Sequence, residues 1–439
     1  MQGTISAALS GTERVRILRN GVDIGEATIN ADGVSWSFTD AGLASGSSYT
    51  YTARVVDAAG NQSADSNSLS FSLNTSGVSQ TVQVLDIQDD QVPQTGSVAN
   101  GGSTNDNTPL ISGSVSAALA SGDRVEVLRN GVVMGSATVN GTTWSYQDSL
   151  QLDGVYSYTA RVVNSGGNQG APSAAYVIAL DTAAPTATVS ITDYTDDVVP
   201  SQGNFGRDTS TNDTSPQING TLSGPLAEGE RVAVFRDGTL VGYASVNNNA
   251  WSFQDSGLVN GNSYQYTARV VDRANNLGDL STPLTLTIDT EAPTATTQIT
   301  AISEDRGVAG DFVTSDNTLV FTGSNTALVA GERVQISLDD GQTWQDTVAV
   351  TGTSWSFDNS ANALPDGSYN VRTRVVDAAG NAGPEDVQVV RVDASAPTQS
   401  VAITQVLDNV APEEGAVTNN GFTNDTTPEL RGTLSVALG

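Results

Sequence analysis

Short runs of alternating apolar and polar residues fill this chain, and none keeps a helical spacing for long. Strict alternation puts every second side chain on one face, which is the pattern of a half-buried strand. The clearest run is Ser48–Asn61 (SYTYTARVVDAAGN). It returns as Tyr156–Asn168 (YSYTARVVNSGGN), Ser263–Asn276 (SYQYTARVVDRANN) and Ser368–Asn381 (SYNVRTRVVDAAGN). Its arginines are Arg54, Arg161, Arg269 and Arg374, so the chain repeats itself with a period of little more than a hundred residues. Such a period is the mark of a tandem array of one structural unit.

One period, taken from the third copy, predicts a first strand over Ala187–Ile191 and then a long polar loop over Thr192–Asp213. Further strands are expected at Pro216–Leu222, Arg231–Arg236, Leu240–Val246, Ala250–Phe253, Tyr264–Val271 and Pro283–Asp289. About seven short strands separated by turn signals describe an antiparallel sandwich. The expected fold class is all-β, with tandem sandwich domains arranged as an extended rod. The expected boundaries are 1–76 (lacking its first strand), 77–181, 182–289, 290–393, and 394–439, which holds only the first strands of a further copy.

Asn20-Gly21, Asn130-Gly131, Asp237-Gly238 and Asp340-Gly341 follow the third strand of each copy. These pairs accept the positive φ that a type I′ hairpin needs at both central positions. Trp36, Trp144, Trp251 and Trp355 are expected in the core, with Phe38, Tyr146, Phe253 and Phe357 two residues on along the same face. Tyr51, Ala53 and Val55 share a core face with Tyr49. Tyr49, Tyr156, Tyr264 and Tyr369 are candidates for tyrosine corners, in which the hydroxyl bonds nearby backbone. The arginines of the central strand should point outward, solvated or ion-paired across strands. The links at Asp181–Pro185, Asp289–Pro293 and Asp393–Pro397 are short, and proline stiffens them.

Composition narrows the function. With 18 basic against 48 acidic residues, the 439-residue chain carries a net charge of −30. Nucleic acid is a poor partner for such a chain and none is expected, because phosphate binding needs clustered Lys and Arg. Cysteine and histidine are both absent. That removes disulfides, thiolate nucleophiles, the usual zinc sites and His-based triads. A paired-carboxylate glycosidase would need neither residue, but catalytic carboxylates belong in one cleft rather than on the loops of every repeat, so no enzyme is expected. No apolar run is long enough to span a membrane, so no membrane insertion is expected. No signal peptide opens the chain, which reads as a piece of a longer protein.

The blocks TNDTSP, VVDRANN and LTIDTEAP, with GERVAVFRDG and WSFQDSG between them, resemble the bacterial Ig-like repeats of giant Bap/LapA-type and RTX-type biofilm adhesins exported by type I secretion. The resemblance runs through all 439 residues. It implies an extracellular stalk on the bacterial cell surface that holds a distant adhesive tip, with calcium ions stiffening the junctions. The expected partners are the neighbouring Ig-like repeats of the same chain, with glycans or abiotic surfaces met by parts outside it. The chain itself is expected to be monomeric.

Acidic residues gather at two places in each period. The loop between the first two strands carries Asp86, Asp89, Asp90 and Asp106, then Asp193, Asp196, Asp197 and Asp213, then Glu304, Asp305 and Asp316, then Asp408 and Asp425. The last strand ends in Asp181, Asp289 or Asp393. The VVDxAGN turn adds Asp57, Asp272 and Asp377, with Asn164 standing in for the acid in the second copy. In an Ig-like topology the loop and the last strand share one pole and the turn lies at the other. Stacked repeats then bring carboxylates and carbonyls together, as Ca2+ requires with its 6–8 oxygen ligands. The bland alternative is that Asp caps turns and keeps the surface soluble. Thr314-Ser315-Asp316, with its shorter loop, and Asn164 mark junctions expected to bind weakly. A second functional reading is direct glycan or surface binding, resting on Trp344, which has no counterpart in the other copies.

Overall fold

The computed structural model describes residues 1–93, 95–305 and 308–436, and every regular element among them is a β-strand. The chain divides into two compact units. The first holds Met1–Ile191, Gly220–Phe253 and Thr267–Pro283, and the second holds Thr192–Asn219, Gln254–Tyr266 and Leu284–Gly439.

In the first unit, the second repeat is a complete sandwich of two five-stranded sheets. One sheet runs Thr138–Asn140, Thr143–Gln147, Leu110–Val115, Val82–Asp89, Gly96–Ser97. The other runs Gly102–Thr104, Tyr176–Leu180, Gly154–Val163, Arg124–Arg129, Val132–Ser136. All pairings are antiparallel except Gly102–Thr104, which lies parallel to the last strand. The expected polar loop therefore contains two short strands. One folds back on the first strand, and the other crosses to the opposite sheet. The hairpin strand expected as one piece is also two. Val132–Ser136 belongs to one sheet and Thr138–Asn140 to the other, with Ala137 at the crossing. The third repeat divides in the same way into Thr239–Tyr243 and Ser245–Asn247.

Alternation explains the core. Tyr158, Ala160 and Val162 are fully buried and pack on Ile111, Val127 and Ile178. Trp144 lies among them, 3% exposed. It stands opposite Gly113, where a Cβ would overlap both the indole and the Gln83 carbonyl. Gly3, Gly220 and Gly323 meet Trp36, Trp251 and Trp355 in the same way. The recurrent glycine of the second strand is thus the seat of the recurrent tryptophan. The first repeat has a smaller core of Val15, Ile17, Tyr49 and Tyr51, with Trp36 only half-buried.

The turns behave as their sequence requires. Asn20, Asn130, Asp237 and Asp340 and the glycines after them all have positive φ. The tyrosine corners form as expected. The Tyr49 hydroxyl accepts from Ala44 N (2.7 Å) and the Tyr264 hydroxyl from Val259 N (3.0 Å). Those of Tyr156 and Tyr369 donate to the Leu152 and Pro365 carbonyls. A second tyrosine goes further. Tyr158 donates to the buried Asp148 at 2.7 Å, and Arg129 donates to the same oxygen at 2.8 Å. Tyr51, Asp40 and Arg19 repeat this triad in the first copy. Burial first, then the carboxylate hydrogen bond, pushes the Tyr51 phenol up to about 12, and the same causes push Tyr158 up.

In the second unit, the fourth repeat has a four-stranded and a five-stranded sheet around Phe321, Ile336, Trp355, Val371 and Val390. Here Asn359, Val371 and Leu338 stand where the triad was, so its charge and its hydroxyl are lost together. The Asp340-Gly341 turn widens into a loop between Arg333–Ser337 and Gln345–Asp346. Residues beyond the fourth repeat form a three-stranded sheet of Val401–Asp408, Gly415–Val417 and Glu429–Leu434.

Candidate metal centre at the repeat junctions

The acidic loop of the second repeat is organised by Thr104. Its hydroxyl donates to Asp89 Oδ2 (2.6 Å) and accepts from Asp106 N (3.0 Å). Asp106 in turn accepts from Thr108 N (2.7 Å) and from Asp90 N (3.4 Å), while Asp89 Oδ1 accepts from Gln91 N (2.8 Å). Asp89 is 7% exposed and Asp106 fully buried. The parallel pairing of Thr104 with Leu180 carries the chain on so that Asp181 N donates to Thr104 O (3.0 Å). The linker acid is therefore held beside the loop acids, as the topology requires.

The same relay recurs in the second unit. Thr211 bridges Asp196 and Asp213, and Asp289 N reaches Thr211 O at 2.9 Å. Thr423 bridges Asp408 and Asp425. Burial raises the Asp196 pKa, with the neighbouring charges of Asp213 and Asp197 adding to the effect and the Thr211 and Val198 hydrogen bonds opposing it. Asp425 is held low, chiefly by the backbone N–H of Thr427. The fourth repeat differs as its short loop dictates. Thr314 donates to the Glu304 carbonyl (2.6 Å) in place of a carboxylate, Asp316 accepts from Thr318 and Ser303, Asp305 binds Gly310 N, and Asp393 N donates to Thr314 O (2.9 Å).

Asp86 and Asp193 stand apart from these relays. Both lie along the first strand. Asp86 pairs in register with Ser112 and accepts from Gln88, and Asp193 accepts from Asn219 at 2.8 Å. Asp90 and Asp197 are both exposed at the loop tip. Among the described residues, no three acidic side chains converge on a metal-holding position. The loops instead bring carboxylates together in pairs.

The turn acids first close their own turns. Asp57, Asp272 and Asp377 each accept from the backbone and side-chain N–H groups of Asn61, Asn276 and Asn381, and these bonds hold Asp57 low. The asparagine then reaches the preceding linker. Asn168 Nδ2 donates to Asn74 O (2.9 Å), Asn276 Nδ2 to Asp181 O (2.8 Å) and Asn381 Nδ2 to Asp289 O (2.8 Å). Asn164, the substitute for the turn acid, adds a bond to Ser76 O (2.8 Å). From the loop side, Asn212 N donates to Ala379 O at 3.1 Å. Loop and turn of successive repeats therefore meet, as stacking predicts. Sequence reasoning missed the asparagine latch, although its signal was plain: the last residue of VVDxAGN is Asn in every copy. Beside the relays, Asn105 Oδ1 and Asn212 Oδ1 are buried acceptors with no donor.

Trp344 donates through Nε1 to Gly341 O (3.1 Å), and Arg374 lies over its ring at 3.9 Å. One face of the indole is therefore already covered by protein.

Comparison with known proteins agrees with the repeats. Residues 4–75, 81–182, 188–290 and 292–394 match the profile of the bacterial Ig-like domain. Exoglucanase B of Cellulomonas fimi is 27% identical over 372 residues, which cover 81% of this chain and 30% of that protein. The chain thus spans about a third of the length of that relative. Fibronectin(III)-like modules of Clostridium thermocellum CbhA align over 48% of this chain and 94% of theirs, at 17% identity and a TM-score of 0.31. A Ca2+-stabilized adhesin that helps an Antarctic bacterium reach out and bind ice aligns over 89% of this chain and 93% of its own, at 22% identity and a TM-score of 0.28. The chain belongs to the family of bacterial Ig-like domains.

Proposed function

We propose that the chain is a structural extender of a bacterial surface adhesin, stiffened by calcium at its junctions and serving cell adhesion and biofilm formation from outside the cell. The RTX type and the type I secretion route belong to the same proposal. The observation that carries it is the latch. One asparagine, at one position of the repeat, ties each turn to the linker before it by a hydrogen bond of 2.8–2.9 Å at successive junctions. A chain that reproduces its joint as faithfully as its domains is built to fix spacing and direction.

Calcium suits the oxygen set. Asn105 Oδ1 and Asn212 Oδ1 are buried acceptors without donors, in the same loops as the paired carboxylates of Asp89 with Asp106 and Asp196 with Asp213. Carboxylate and amide oxygens are the ligands a hard divalent cation takes. Asp181 and Asp272 would complete one junction and Asp289 and Asp377 the next. The cation would supply the charge that buried carboxylates lack. Equilibrium dialysis at millimolar calcium tests this. Calcium should bind at neutral pH and more weakly as the solution is acidified, because burial raises the Asp196 pKa and protons then compete. No bound calcium at neutral pH would defeat the metal half of the proposal.

A further inference from the structure

The sheet that carries the central strand turns its outer face to solvent, and in most repeats that face is ionic. In the first repeat Arg54 pairs with Asp65 (2.8 Å) and donates to Gln62. In the second, Arg161 pairs with Glu126 (2.9 Å) and donates to Gln169 (2.7 Å). In the fourth, Arg374 donates to Gln335 (3.0 Å), and Arg372 beside it pairs with Glu385 (3.0 Å). The third repeat keeps the arginine, Arg269, and replaces every one of these partners. Ala233 stands where Glu126 and Gln335 stand, Leu277 where Gln62 and Gln169 stand, and Leu280 where Asp65 and Glu385 stand.

The consequences are structural as well as electrostatic. Among the described residues Arg269 has no ion pair, and its Nε is shut off from solvent without a hydrogen-bond partner. Its guanidinium lies 5.7 Å from the centre of the Phe235 ring. Around it opens a cleft of about 500 Å³ walled by Phe235, Leu240, Tyr243, Leu277 and Leu280, with Pro93 of the preceding repeat at its rim. The leucines are not core residues that happen to lie near the surface, since Leu240 and Leu280 are 46% and 49% exposed. Arg231 stacks on Tyr243 at 3.9 Å and fixes that wall.

We propose that this cleft of the third repeat is a binding site for a small amphipathic carboxylate. The apolar body lies against Phe235, Tyr243 and the leucines, and the carboxylate takes the vacant guanidinium of Arg269. A cleft of this size is in the range of ligand pockets, which are mostly apolar with few polar anchors. An arginine–carboxylate pair is the strongest of the available anchors. The net charge of −30 repels an anion over most of the surface, so the unpaired cation also sets where such a ligand settles. The proposal does not use the junction hydrogen bonds of the extender reading; it rests on the combination of Ala233, Leu277 and Leu280 around Arg269, which no other repeat has.

The test is titration of the whole chain with octanoate and, separately, with octanol, followed by calorimetry and by the methyl resonances of the leucines. Octanoate should bind about tenfold more tightly than octanol, with shifts at Leu240, Leu277 and Leu280. Leu280→Asp places an acid where the first repeat has Asp65, and should lower octanoate affinity about tenfold by pairing Arg269 internally. Arg269→Leu should abolish the preference for octanoate over octanol. Equal affinity for the two probes in the unaltered chain, or leucine shifts confined to other repeats, would overturn the site. Leu280→Asp that folds, judged by circular dichroism, and binds octanoate undiminished would overturn it as well.

Discussion

Asn276 does two things with one amide. It closes its own turn on Asp272 and holds the carbonyl of Asp181 in the linker. Asn276→Ala should cost about 1–2 kcal/mol locally, the worth of hydrogen bonds lost from a buried position. Amide exchange should quicken around Asp181 and Asp272 while the far sheets stay protected. Tyr158 tests a different economy of charge. Its phenol and Arg129 both serve Asp148, which is buried, so Tyr158→Phe should destabilise the second repeat by about 1–3 kcal/mol in thermal unfolding. The raised tyrosine pKa values also fix a sign. A phenol whose folded pKa exceeds its unfolded value of about 10 contributes stability that is complete below that pH. This contribution fades as pH climbs through about 12 for Tyr51. Alkaline unfolding should therefore begin above about pH 10 together with tyrosinate absorbance, and a pH-independent stability there would contradict the triads. Several of these residues were hidden in the sequence for a simple reason. Asp148 and Asn276 lie in turn-like contexts, where Asp and Asn are common whatever they touch. Tryptophan and the Asn-Gly turns were legible because few environments accept them.

At the level of the element, the loop after the first strand is where sequence and structure part. Gly102–Thr104 is a strand of three small polar residues paired in parallel with Tyr176–Leu180. Three residues carry no period, and a partner more than seventy positions away leaves no local trace. The longer strands were legible because each has one buried face and alternates accordingly, as Gly154–Val163 does. The same short strand sets up the acidic pole, since Thr104 joins Asp89 to Asp106 and its carbonyl holds Asp181. Thr104→Val keeps the shape but removes both hydroxyl bonds, leaving a buried carboxylate short of a donor. A loss of about 2–4 kcal/mol is expected in denaturant unfolding of the second repeat. Thr314→Val should cost less, because its partner is the Glu304 carbonyl and not a buried carboxylate. Equal losses at the two sites would mean that the relay is incidental to the loop.

For the whole molecule, repetition makes the argument additive. The first, second and fourth repeats each have their own core, and three successive junctions reuse the same asparagine and a linker carbonyl. Units that touch only their neighbours should unfold nearly independently, with their junctions adding nearest-neighbour terms. Cations bound at those junctions would strengthen such terms without changing the domains. The third repeat's cleft departs from the pattern on an outer sheet face, beside the turn that carries Asn276. The most direct measurement is small-angle X-ray scattering of the whole chain, first in millimolar calcium and then after EDTA. The extender account predicts an elongated particle that becomes shorter and more flexible on chelation and recovers when calcium is returned. An unchanged profile would contradict calcium stiffening, and would leave the asparagine latches and proline linkers to set the geometry alone.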